Sequence, residues 1–279
     1  MIFLKLNNKS KILLQFKTSL SERLVRIKRL PQKRLQIFYK IPCRRPAVRD
    51  FPFYSRTVWQ IRGVCDGIRG TNTLIFYRCL SITCFSVDAL FHSVEGFLSK
   101  FCNEAAEMVE LTAIENTAEY LPRAVKDGHD IEARAKVAFA NTMSGYSMEV
   151  CSCVSQHAME HALSGYHQEL PHGAGLIMIS KQYFTRWIDE HICDERFIKP
   201  AKAMGIADAK EPMDFITAPE KMMAKCGVNE LKMSDYGIRR EEFPQMEKDA
   251  KNTMGGLFLC DRFELTDEDA VNIYRKSYR

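Results

Sequence analysis

The stretch His157–His172, HAMEHALSGYHQELPH, places four of the chain's seven histidines within sixteen residues, between apolar segments. On a helix, His157 and His161 are four apart, so both rings project from one face with Cβ atoms about 5–6 Å apart. Pro171 suits the first position of a following helix, where its missing N–H is not needed. His172 then falls in that helix's first turn. The positive end of the helix dipole disfavours an imidazolium there, and a neutral ring nitrogen is what a metal requires. The stretch therefore reads as half of a metal site.

Upstream, SVDALFHSVEGFLSK supplies a second constellation of matching geometry. Asp88 and His92 are again four apart, so a carboxylate and an imidazole point the same way. Together the two stretches offer one oxygen and three nitrogen donors. Such a set, without thiolates and with positions open for substrate, suits a catalytic Fe²⁺ or Zn²⁺ better than a closed structural site. Any one of these residues alone reads more simply as a surface or satisfied core side chain; the pairing carries the argument.

Around these stretches the pattern is helical almost throughout, from about Ser86 onward. Asn103 is placed to cap EAAEMVELTAIENTAEYL, with Met108, Leu111, Ile114 and Leu121 as its apolar stripe. A new helix is expected after Pro122, a turn and cap at Asp127, Gly128 and Asp130, and a further helix from about Ser147 to Leu163 after Gly145. GAGLIMISKQYFTRWIDEH reads as a buried helix. Shorter helices are expected in Glu195–Met204, Met213–Lys225 (with Pro219 accommodated by the surrounding bundle, or the helix restarting there) and Arg240–Asn252. Thr266 with Asp269 forms a capping-box-like start for the last. Residues 86–279 are thus expected to be an all-α helical bundle, and residues 1–85 irregular or poorly ordered.

Charge separates the same two regions. Residues 1–80 carry 18 Lys and Arg against three acidic residues, a balance of +15, whereas the remainder carries 22 basic against 32 acidic, a balance of −10. The basic region is Arg-rich and acid-poor like a transit peptide, and has interleaved aromatics like a nucleic-acid grip. Pro31, Pro42, Pro46 and Pro52 break any single amphipathic helix, and no nucleic-acid motif is present. The favoured reading is an out-of-frame or misread segment joined to a genuine C-terminal part. No nucleic-acid partner is therefore expected. Nor is a membrane, since no run of about 18 uncharged apolar residues occurs. The chain has 10 cysteines, with no C-x-x-C pair. They read as reduced, packed thiols of a cytoplasmic protein.

DALFHSVEGF, the NEAAEM…ENTAEYLPRAVKDG…EARAKVAFANTMSGYS pair and HAMEHALSGYHQELPHGAGLIM together resemble the iron-containing (group III) alcohol dehydrogenases, from about Val87 to the C-terminus. The resemblance implies their dehydroquinate synthase-like helical C-terminal domain. It implies Asp88, His92, His157 and His172 as metal ligands, Fe²⁺ as the metal with Zn²⁺ as the alternative, and NAD(P) as hydride acceptor for a primary alcohol or aldehyde. His161 matches the family's additional active-site histidine, near metal and nicotinamide without being a ligand. His129, His167 and His191 match no role. The family's glycine-rich pyrophosphate loop is not found in residues 1–86, so no nucleotide-binding residue is assigned and the activity of this chain alone is in question. A metal-binding helical module without catalysis is the alternative, and a homodimer is left open.

Overall fold

The computed structural model describes residues 3–7, 11–15 and 79–279, and the chain divides into units 1–50 and 51–279. In the first, strands β1 (Phe3–Asn7) and β2 (Lys11–Gln15) pair antiparallel, from Phe3 opposite Gln15 to Asn7 opposite Lys11. In the second, the described residues form nine α-helices and no strand. These are α1 (Cys79–Leu98), α2 (Glu104–Lys126), α3 (Ile131–Cys151), α4 (Ser155–Tyr166) and α5 (His172–Asp189), followed by α6 (Asp194–Ala203), α7 (Asp214–Lys225), α8 (Phe243–Phe258) and α9 (Asp267–Ser277).

The all-α expectation for residues 86–279 holds. The expectation of irregular chain through residue 85 is corrected at both ends, by the β1–β2 pair and by α1, which begins seven residues before Ser86. Thr83 and Cys84 are already buried, so the helical core starts earlier than the polarity pattern suggests. What was expected of the basic residues 16–78 lies outside the described residues.

α1 is buried almost all round and packs against α2, α3 and α5. Leu90, Phe91, Phe97 and Leu98 are wholly buried there, each contributing about 1.5–3 kcal/mol of transfer free energy. An aromatic cluster spans three further helices: Phe184 meets Phe215 edge-on at 5.3 Å between centroids, and Tyr183 and Phe197 join it. α4 is held between α5 and α8, and α9 closes over α5 and α8.

One expected helix break is absent and one lies elsewhere. α2 runs through Pro122 to Lys126, because Leu121 and Ala124 bury the last turn on both sides of the proline. That burial offsets the roughly 3 kcal/mol an interior proline costs. Met108, expected in the apolar stripe, is instead 69% exposed. α7 likewise continues through the buried Pro219. α3 runs through Gly145 to Cys151, and the break falls at Ser152, whose φ is +62°.

That bend has buried partners. Val154 N–H donates to Glu95 Oε2 at 2.9 Å, and Ser155 N–H donates to Asp261 Oδ1 at 2.9 Å. Two carboxyl groups from other parts of the chain thus accept from free donors at the start of α4. The bend starts α4 at Ser155 rather than Ser147, and sets the phase of its histidines.

Candidate metal centre and active site

Asp88, His92 and Glu95 share one face of α1; His157, Glu160 and His161 come from α4; His172 is the first residue of α5, directly after Pro171. The Nε2 atoms of His92, His157 and His172 lie 3.2, 3.3 and 3.4 Å from one atom, Asp88 Oδ1. The rings adjoin in series, stacked for His92–His157 at 4.2 Å between centroids and tilted for His157–His172 at 5.3 Å and His172–His161 at 4.7 Å. All five residues singled out from the sequence are therefore brought together. His129 and His191 are exposed elsewhere, and His167 lies 3.0 Å from Glu242.

The opposite ring nitrogens are held as well. His157 Nδ1 donates to Glu95 Oε1 at 2.5 Å, His172 Nδ1 donates to Glu160, and His92 Nδ1 lies 3.0 Å from Cys153 Sγ. Both glutamates are wholly buried. A neutral imidazole has a single N–H. Once the glutamates take it, Nε2 of His157 and of His172 presents a lone pair to an anionic oxygen. Such an arrangement repels unless a proton or a cation lies between. The spacing suits a cation, since tetrahedral bonds of about 2.0–2.1 Å put ligand atoms about 3.3–3.4 Å apart. The residues present therefore fit a divalent metal.

The ionisation pattern follows from the same contacts. Burial alone would raise the Asp88 carboxyl, but the His92 and His172 imidazoles beside it hold it well below the usual range. Burial would lower His92, yet the charges of Cys153 and Asp88 carry it to about 9. His157 is carried upward in the same way by Cys153 and Glu95. Burial, outweighing the pull of Asp88, lowers His172. Burial and then the charge of His157 push His161 down to about 4. Metal and protons thus compete for the same lone pairs, and binding releases protons.

Sequence reasoning missed Glu95, Glu160 and Cys153. The signal was present: both glutamates sit within apolar helices, each three residues after a candidate ligand, where an unpaired carboxylate is costly. Two glycines permit the packing. A Cβ on Gly173 would lie 2.0 Å from the Cys84 carbonyl oxygen, and one on Gly175 would lie 2.4 Å from Glu160 Oε1. The first turn of α5 can press onto α1 and Glu160 only without those side chains.

The sequence profile of the Fe-containing alcohol dehydrogenase family, C-terminal part, matches residues 83–278. The chain belongs to this family. The 1,3-propanediol dehydrogenase of Citrobacter freundii is 28% identical over 198 residues, covering 69% of this chain and 49% of that protein. The long-chain primary alcohol dehydrogenase AdhA of Thermoanaerobacter ethanolicus is 25% identical, with the same coverage of 69% and 49%. Among solved structures, the archaeal halo-thermophilic Red Sea brine pool alcohol dehydrogenase ADH/D1 bound to NZQ matches with a TM-score of 0.70 at 28% identity, over 74% of this chain and 53% of that one. The chain spans about half the length of the curated relatives it matches. Every residue of the histidine cluster lies within the matched family region, and no described helix is long and apolar enough to cross a membrane.

Proposed function

We propose that residues 79–279 form the metal-binding half of an NAD(P)-dependent alcohol dehydrogenase that interconverts primary alcohols and aldehydes. Asp88, His92, His157 and His172 are its metal ligands. One observation carries this reading: three Nε2 atoms face Asp88 Oδ1, while two of those rings are committed through Nδ1 to buried glutamates. Fe²⁺ is the metal the family name favours, and the same donors accept Zn²⁺. The substrate class follows the names of the propanediol and primary alcohol dehydrogenases among the relatives. The cysteines from Cys84 to Cys260 are free thiols, which suits the cytoplasm.

When bound, the metal supplies Lewis acidity toward a substrate oxygen and the nicotinamide supplies the hydride acceptor. The chain's own residues do the rest. Glu95 and Glu160 fix the tautomer and tilt of His157 and His172 through the Nδ1–H bonds. The His161 ring lies tilted beside His172 and is neutral near neutral pH, so a ring nitrogen can take the proton a substrate hydroxyl gives up.

The test is a purified, iron-loaded chain given a primary alcohol with NAD⁺ or NADP⁺, with nucleotide binding and reduced nicotinamide both followed. Alcohol-dependent reduction is expected. Stoichiometric metal with neither nucleotide bound would leave only a metal-binding helical module and overturn the catalytic reading.

A further inference from the structure

A second donor cluster lies outside the histidine site. Cys102 in the α1–α2 turn, Glu110 of α2 and Cys151 at the end of α3 bring two sulfurs and a carboxylate oxygen within 4.8 Å of one another. Cys102 Sγ is 3.2 Å from Glu110 Oε2, and Ser147 Oγ donates to Glu110 Oε1 at 2.7 Å. Glu110 and Cys151 are wholly buried, whereas Cys102 is half-buried and reaches solvent. α1 leaves room for the carboxylate, since a Cβ on Gly96 would lie 2.6 Å from Glu110 Oε1.

The surroundings of the cluster are negative. Burial pushes the Glu110 carboxyl up, and burial with the Glu110 charge pushes Cys102 up and Cys151 up to about 11. Arg196, paired with Glu107 at 2.7 Å, is the cation that opposes this at both Cys102 and Glu110.

We propose that Cys102, Glu110 and Cys151 form a second metal site, for a thiophilic divalent cation of the Zn²⁺ type, separate from the Asp88 centre. Two thiolates and one carboxylate carry three negative charges; the ion's two and the net one left by Arg196 and Lys199 around Glu107 balance them. Each thiol releases its proton to solvent on binding. The fourth position of a tetrahedral site falls to water on the exposed side of Cys102. Thiolate donors select against Mg²⁺ and Ca²⁺, which take oxygen. The site would tie the α1–α2 turn to the end of α3, two residues before Cys153, which backs His92. The three residues share no short motif, which is why the cysteines read from sequence only as packed thiols.

Loading the full chain with Co²⁺ tests this, because thiolate ligation gives an intense near-ultraviolet sulfur-to-cobalt band that histidine and carboxylate ligands lack. Two Co²⁺ per chain and that band are expected. Cys102→Ser and Cys151→Ser each keep a neutral donor for Glu110, and each should abolish the band and lose one equivalent while the other Co²⁺ stays. Absence of the band in the unaltered chain, or its survival in both serine variants, overturns the proposal. So does a band lost only in Cys153→Ala, which would trace it to the histidine centre.

Discussion

Two donor clusters adjoin α1, and they differ in how their protons are supplied. At the histidine cluster, three buried carboxylates, Asp88, Glu95 and Glu160, compete for the N–H groups of the rings between them. At the thiol cluster a single buried carboxylate, Glu110, meets neutral donors from Cys102 and Ser147, with Cys151 beside it. The first arrangement is unfavourable until a cation or extra protons enter. The second is satisfied as it stands. Donor type alone therefore does not set dependence on metal; the balance of hydrogen-bond donors and acceptors does. The histidine centre should need its ion to hold the fold together, and the thiol cluster should not.

The largest expected effect separates ligand from relay within the first cluster. His161→Ala should keep the metal yet lower alcohol turnover by roughly 10²–10⁴-fold, the usual range for a positioned acid–base group. Unchanged turnover at normal metal content would remove His161 from the chemistry. Next come the carboxylates behind the rings. Glu95→Gln and Glu160→Gln keep the shape but lose the charge that fixes Nδ1–H, and metal affinity measured by competition with a chelator should fall about 10–100-fold. Glu110→Gln should leave affinity at the histidine centre unaltered, which sharpens the contrast between the clusters.

A smaller effect is expected at the close approach of α5 to α1. Gly173→Ala forces a Cβ onto the Cys84 carbonyl oxygen and should destabilise the fold by about 1–3 kcal/mol in chemical denaturation. Stability within error of the parent would mean the backbone shifts freely there. A further effect is read against pH. Burial raises the Asp261 carboxyl to about 8. Its proton is held more tightly folded than unfolded, so the stabilisation is complete below its ordinary value of 3.8 and is lost as pH rises toward about 8. The slope over that window should approach about 1.4 kcal/mol per pH unit. Asp261→Asn should flatten it, and an unchanged slope would assign the pH dependence to another group.

Much of the fold was legible because its signals are local. The Asn103 cap, the Asp130 cap and the Thr266–Asp269 capping box each depend on residues within one turn, and each occurs as read. The breaks expected at Pro122 and Gly145 did not occur because neighbours far away in sequence decide them: the core around Leu121 and Ala124, and the carboxyl groups of Glu95 and Asp261 that receive the start of α4. Asp88 and His92 were visible as a pair at helical spacing, His157 as one of a pair with His161, and His172 from its place directly after Pro171. Glu95 was overlooked, since its partner His157 is 62 residues away and the only local mark is a carboxylate in an apolar helix three residues after His92. Cys102, Glu110 and Cys151 were hidden for the same reason.

Metal content after mild purification tests the account most directly. It is best measured in a Cys102→Ser background, so that the thiol cluster does not contribute. The parent and His161→Ala should each retain one equivalent, while His157→Ala and His172→Ala lose it. Equal retention in all four would contradict the assignment of the ligands.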